Sequence, residues 1–109
     1  MKIIFLPEVL LYFNELTGLL YEKGYFGLEE NALKYVDDLL ERIRTYLPNH
    51  SKRYAPSYFD RYGNNMYYAV FKKSRQTHWY VFFNIYEDKG ELIYLIRHIT
   101  NNHVAAQHF

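Results

Sequence analysis

Apolar side chains recur with the period of a helix as far as Pro48 and with the period of a strand from Met66 onward, so the chain divides into a helical half and a sheet-forming half. Within residues 28–47, Leu28, Ala32, Val36, Leu39, Leu40, Ile43 and Leu47 form one stripe. Glu30, Lys34, Asp38 and Arg42 alternate in sign at four-residue spacing on the opposite side, which supports a helix locally. Glu29 and Glu30 sit in its first turn and Arg42 and Arg44 near its end, as the macrodipole favours, and Pro48 stops it. An earlier helix is predicted over residues 8–23, with Val9, Tyr12, Phe13, Leu16 and Leu20 on one face, Pro7 at its start and Gly24 at its end. Leu10, Leu11 and Leu19 widen that face, so contact from more than one side is expected. The turn 24–27 is short enough to make the two helices a hairpin, and Lys2 to Leu6 reads as a first strand.

In the second half, three strands are predicted over 66–73, 78–87 and 91–99, the last two joined by the turn Asp88-Lys89-Gly90. Residues 48–65 show no steady period and read as a long connecting loop, a length that is usually functional or mobile. The predicted order is β-α-α-β-β-β in a single domain over 1–109. The fold class is α+β, a two-layer sandwich with the helix hairpin on one face of a four-stranded, mainly antiparallel sheet. Alternation gives Trp79, Val81, Phe83 and Ile85 one side and Tyr80, Phe82, Asn84 and Tyr86 the other. Likewise Met66, Tyr68, Val70 and Lys72 oppose Tyr67, Ala69, Phe71 and Lys73. Both faces thus carry large rings, and the face away from the helices is expected to be bare in the isolated chain. Such a patch marks a site for a partner or a second copy.

One residue in five is aromatic and half are apolar, which argues for a packed globule and against disorder. The absence of cysteine excludes disulfides and thiolate metal sites. No apolar run has membrane-spanning length, and the apolar start Met1–Leu6 is too short for a signal peptide, so the cytoplasm is the expected compartment, with no membrane partner. The net charge of +1 conceals an uneven distribution. Residues 1–41 carry three basic against eight acidic side chains, whereas residues 42–75 carry eight basic ones against Asp60 alone. A cationic block of this kind suits phosphates.

Metal-independent RNA cleavage needs a base for the ribose 2′-hydroxyl, cations for the developing charge and an acid for the leaving oxygen. His98 and His103 are the candidate proton handlers, since imidazole titrates near neutrality. Arg61, Lys73 and Arg97 are candidate phosphate clamps, joined by Lys72 and Arg75, although Lys72-Lys73-Ser74-Arg75 also reads as a solvated hairpin rim. Tyr67 and Tyr68 are candidate stacking platforms among the aromatics that interleave with the basic block. Alternation over 94–98 puts Tyr94, Ile96 and His98 on one face and Leu95 and Arg97 on the other. His98 and Arg97 can therefore share a site only if the strand ends or bulges there. His98, His103 and His108 stand five residues apart, too little pattern for a metal centre, and none is expected. Neither a Gly-rich nucleotide loop, a paired-carboxylate site nor a Ser-His-Asp triad is present, and no cofactor is expected.

The helix over Leu28–Leu47, the run Gly63-Asn64-Asn65-Met66-Tyr67-Tyr68-Ala69-Val70-Phe71, and the closing Ile93-Tyr94-Leu95-Ile96-Arg97-His98 together resemble the RelE/ParE superfamily of bacterial toxins, the toxin halves of plasmid-stabilising toxin–antitoxin pairs. The resemblance spans nearly the whole chain and rests on pattern and order. It implies a type II toxin that inhibits translation by cleaving messenger RNA on the ribosome, and it selects His98 as the functional histidine. It also implies a cognate antitoxin that wraps the toxin and covers its functional surface. Two positions depart. With Phe71 in the family's usual aromatic place, Tyr68 stands where arginine is common, and Asn101 stands where a further arginine often follows the histidine. The missing arginines leave two alternatives beside the endoribonuclease: a non-enzymatic inhibitor of DNA gyrase, and an inactive, partner-binding relative.

Overall fold

The computed structural model describes all residues, Met1–Phe109, in the order β1 (Lys2–Phe5), α1 (Pro7–Glu22), α2 (Glu29–Tyr46), β2 (Arg53–Tyr54), β3 (Tyr67–Lys72), β4 (His78–Asp88), β5 (Glu91–Asn101) and a single turn, α3 (Asn102–Ala105). Tight 3₁₀ turns occupy Leu47–Asn49, Ser57–Tyr62 and Ala106–His108. No helix is long and apolar enough to cross a membrane.

Pro7 takes the first position of α1, where its missing N–H costs nothing, and Val9 and Leu10 donate back to the Leu6 carbonyl. At the other end, Gly24 at φ +77° lets Gly24 N–H reach Tyr21 O and Tyr25 N–H reach Leu20 O. These paired bonds satisfy carbonyls the helix would otherwise leave open. Val9, Phe13 and Leu16 of α1 and Ala32, Val36, Leu39 and Ile43 of α2 are buried. Leu28 departs from the expected stripe. It precedes α2 in an extended conformation and is 56% exposed. Leu10, Leu11 and Leu19, which widened the apolar face of α1, are likewise exposed.

The sheet has five strands, not four, in the order β1-β5-β4-β3-β2. The loop expected over 48–65 contributes the extra edge, Arg53 and Tyr54 pairing antiparallel with Tyr68 and Tyr67. Two residues carry no detectable period, which is why the sequence hides them. The first strand lies parallel beside β5, with Lys2 opposite Ile93 and Phe5 opposite Ile96, so the sheet is mixed, with its other pairings antiparallel. The β4–β5 hairpin closes through Lys89 (φ +52°) and Gly90 (φ +82°), the pair of left-handed residues that a two-residue turn of this twist requires.

Both long helices cover one face. Val9, Phe13, Leu16, Val36, Leu39 and Ile43 pack onto Ala69, Phe71, Trp79, Val81, Phe83, Tyr94 and Ile96. Trp79 donates from its indole nitrogen to the Tyr35 hydroxyl, at 2.9 Å, so the one tryptophan is satisfied inside this core. The opposite face is not bare, contrary to the expectation from alternation. Phe59, Met66, Phe82 and Ala105 form a second, smaller core there, flanked by Tyr58, Tyr68 and Tyr80. The 57–62 turn and the C-terminal segment supply its cover. Those two stretches lacked strand or helix periodicity, so alternation within the strands alone left the face open.

Candidate functional site

The site grows out of one irregularity. Phe83 pairs with Ile96 but Phe82 pairs with His98, so Arg97 is an extra residue on β5. A bulge of this kind re-aims the side chains around it. Ile96 and Ile99 both point into the helix-side core. Arg97 and His98 both reach the other face, Arg97 to Asn84 and Tyr86, and His98 to Tyr62 and Phe82. The face assignment drawn from strict alternation, with Arg97 opposed to His98, is thereby corrected.

Arg97 is held rigidly. Its Nε donates to Asn84 Oδ1 at 2.6 Å and one terminal nitrogen donates to the Tyr86 hydroxyl at 3.0 Å. The Asn84 amide nitrogen in turn donates to the carbonyls of Asn64 and Asn65, at 3.1 and 3.3 Å. Asn65 adopts φ +55°, a left-handed conformation that asparagine tolerates better than most residues. The aliphatic part of Arg97 passes directly under Gly63, where a Cβ would stand 2.5 Å from Arg97 Cδ and 3.1 Å from Met66 Sδ. The Gly63-Asn64-Asn65 turn therefore serves as a saddle for the guanidinium.

His98 stacks face to face on Tyr62, with centroids 3.7 Å apart and 4° between planes. Burial pushes its imidazole down to about 4, so it stays neutral at physiological pH. The rings of His50, His103 and His108 find partners in Val70 O, Thr77 Oγ1 and Gln107, whereas those of His98 and His78 have none. Arg61 donates from Nε to Tyr58 O at 2.9 Å, and its guanidinium lies 3.8 Å from the Tyr58 ring centroid, leaving its terminal nitrogens free. Arg61, Arg97, His98 and His108 all line one cleft of about 570 Å³, walled by Tyr58, Phe59 and Tyr62 on one side and by Glu8, Val9 and Tyr12 of α1 on the other. The chemistry available is anion binding by two guanidinium groups beside a neutral imidazole that can accept a proton.

The remaining candidates lie elsewhere. His103 faces a separate apolar hollow lined by Leu16, Leu20, Phe26, Tyr35 and Trp79, and bonds to Thr77 Oγ1 at 3.1 Å. Lys72 and Arg75 are exposed at the β3–β4 end of the sheet. Lys73 is 11% exposed, 2.5 Å from Asp38 of α2 and over the Tyr35 ring, so it ties strand to helix and is not free for phosphate. Tyr67 and Tyr68 face opposite sides. Tyr67 packs against the helix-side core and stacks on Tyr54, while Tyr68 sits among Tyr80, Phe82 and Phe109. His98, His103 and His108 do not converge, and no cluster of histidine and carboxylate side chains is arranged to hold a metal ion.

Sequence reasoning missed Asn84 and His108 as parts of this site, and placed Tyr58 and Tyr62 among the aromatics interleaved with the basic block without singling them out. For Tyr62 and Tyr58 the only signal was aromatic spacing within a basic stretch. Asn84 carried one further sign, being a polar residue amid the apolar run from Val81 to Ile85. Compared with known protein families, curated proteins and solved structures, the chain matches none.

Proposed function

We propose that the chain is the toxin component of a two-protein toxin–antitoxin pair of the RelE/ParE kind, acting in the cytoplasm on messenger RNA at the ribosome. The observation that carries this reading is the bulge at Arg97, which sets a fixed guanidinium and a neutral, unpartnered imidazole on one face beside Arg61. The β-α-α-β-β-β order, with the two-residue β2 and the single turn α3 added, supports the family resemblance seen in the sequence. In cleavage, the neutral His98 accepts the proton of the ribose 2′-hydroxyl as that oxygen attacks the adjacent phosphorus; the P–O5′ bond breaks, leaving a 2′,3′-cyclic phosphate, and the departing 5′-oxygen takes its proton from water. Arg97 and Arg61 meet the charge that builds on the phosphate oxygens. Gly63 and Asn84 act by positioning Arg97 and touch no substrate. A cognate antitoxin is the expected partner, and its binding would cover this cleft.

One observation favours a second reading. His103 lines a separate hollow, so the cleft does not bring together the two histidines singled out in the sequence, and the second imidazole lining it is His108. A non-cleaving toxin that binds gyrase, or an inactive relative, needs no such pair. The test is a reconstituted translation reaction programmed with a defined message. Truncation of the message by the wild-type chain, lost in His98→Ala and in Arg97→Ala, supports the endonuclease. An intact message together with blocked DNA supercoiling selects the gyrase inhibitor, and inertness in both assays leaves the inactive relative.

A further inference from the structure

The second face is covered by the chain's own last residues, and the manner of covering is informative. At its root the segment is pinned. The Asn101 side chain accepts from the N–H groups of His103 and Val104, and Asn102 accepts from His78 N–H while donating to Gln76 O. Beyond His103 its backbone hydrogen bonds stay within the segment, as Phe109 N–H to Ala106 O does. What holds it to the body is Ala105 in the small core and two consecutive rings. His108 stacks on Tyr58 at 3.5 Å and 4°, and Phe109 lies 4.4 Å from Tyr80, 5.0 Å from Tyr68 and 5.1 Å from Phe59. Phe109 is nevertheless 46% exposed.

The Tyr58 ring carries His108 at 3.5 Å and the Arg61 guanidinium at 3.8 Å. Two planar groups that close to one centroid must lie on opposite sides of the ring. The result is a three-layer stack of imidazole, phenol and guanidinium, with the separation found between stacked bases. Further along the same face Tyr68 borders a shallow hollow with Arg53, His50 and Ser51. Half-buried Tyr58, Tyr80 and Tyr68 thus form an aromatic strip over the buried rings of Phe59 and Phe82, with Arg61 against Tyr58 and Arg53 opposite Tyr68. That is the arrangement by which proteins hold single strands, rings for the base faces and guanidinium groups for the backbone.

We propose that this strip is a stacking surface for single-stranded nucleic acid and that His108 and Phe109 hold it closed by occupying, as rings, the places that bases take. The inference rests on a nucleic acid being the target, and it adds the regulation of that site. Release is local. The helix-side core holds 15 buried residues and the second core 4, so the segment can lift from its root at Asn101–His103 while the main fold persists. A ligand that needs the open form binds more weakly by the fraction of molecules that are open. A segment docked in about nine molecules of ten masks about ten-fold of the intrinsic affinity.

The test uses the full chain and fluorescein-labelled oligouridylate and oligothymidylate of about twelve nucleotides, within the span such surfaces cover, read by fluorescence anisotropy. The double variant His108→Ala/Phe109→Ala is expected to bind about ten-fold more tightly than wild type, and adding Tyr58→Ala and Tyr80→Ala to it is expected to abolish the gain. Equal binding of both oligomers assigns the surface to base faces, and a preference for the ribo-oligomer assigns it to RNA; either supports the proposal. Unchanged or weakened binding in the double variant, with its circular dichroism native, overturns it. Should that variant fail to fold, proton resonances of His108 and Phe109 in the intact chain decide. They must move toward free-segment values as oligomer saturates, and resonances that stay fixed, or no binding at all, overturn the proposal. A chain that binds in this way yet leaves messages and supercoiling untouched refutes the toxin reading alone, and one that truncates messages without the tail effect refutes this inference alone.

Discussion

Gly63→Ala isolates the saddle beneath Arg97 from every other feature of the turn. Gly63 has φ 162° and ψ 146°, extended backbone that alanine adopts freely, so the substitution introduces no dihedral strain. At an unobstructed position of that kind alanine stabilises by about 0.5 kcal/mol through the unfolded state. Here the new Cβ would stand 2.5 Å from Arg97 Cδ, and the arginine must leave. Departure breaks its bonds to Asn84 and to Tyr86, the second on an exposed hydroxyl. Bonds to a charged group are each worth about 1.5 kcal/mol at the low end, and subtracting the backbone gain of about 0.5 kcal/mol leaves a net loss of about 2.5 kcal/mol. Urea unfolding followed by the fluorescence of buried Trp79 measures it, because that ring reports the helix-side core. The decisive comparison is the same substitution in an Arg97→Ala background. The clash is then gone and only Met66 Sδ, on a flexible side chain, must shift. Gly63→Ala should become neutral or slightly stabilising there, a coupling of about 3 kcal/mol between the two positions, the worth of the two lost bonds. Equal cost in both backgrounds would refute the saddle.

His98 makes stability depend on pH. Above its unfolded value of 6.5 the ring is neutral in both states, and between 6.5 and about 4 only the unfolded chain takes up the proton, so stability falls as the pH is lowered through that window. The expected loss is roughly 1.5 kcal/mol by pH 4, half the value for a fully enclosed ring because part of it meets solvent, and between about pH 7 and pH 4 the urea midpoint of the wild type should fall relative to that of His98→Phe, which lacks this slope. The Lys73–Asp38 pair holds the Asp38 carboxyl below its usual range, chiefly through the hydrogen bond from Lys73. Asp38→Asn should cost about 1 kcal/mol in thermal unfolding at low salt and less at 1 M salt, and an unchanged difference would show that charge is not the cause. Leu39→Ala, fully buried between α2 and the sheet, should cost about 2–5 kcal/mol in urea unfolding.

The parts of the fold that follow from one repeated spacing were legible. The stripe from Ala32 to Leu47 and the rings from Trp79 to Phe83 each state a face several times over, so a single exception such as exposed Leu28 does not mislead. Arg53 and Tyr54 state nothing by period, and the 57–62 turn binds the sheet through Phe59 alone among its buried residues. The neighbour of β1 was equally silent, because parallel pairing to β5 joins residues some ninety positions apart and leaves no local mark.

The site was legible in its chemistry and illegible in its geometry, for one physical reason. Residue type survives a bulge, whereas facing does not. Arg97 and His98 were identifiable as an arginine beside a histidine on the last strand, but one unpaired residue decides whether they cooperate or lie on opposite sides of the sheet. Nothing in the pentapeptide Tyr94 to His98 announces the bulge. What requires it is remote: Ile99 has to return to the helix-side core after Ile96, and Arg97 has to find Asn84 and Tyr86 across the strand. A variant that removes the reason for the bulge therefore tests the site more sharply than one that removes a site residue. Asn84→Leu/Tyr86→Phe deletes the acceptors that hold Arg97 while leaving Arg61, Arg97 and His98 in the chain. If the paired orientation is what the function uses, loss of message truncation or of supercoiling inhibition should approach that of Arg97→Ala, with Trp79 fluorescence still native. Full activity in that double variant would mean that the guanidinium works without its saddle, and the bulge would then be a detail of packing.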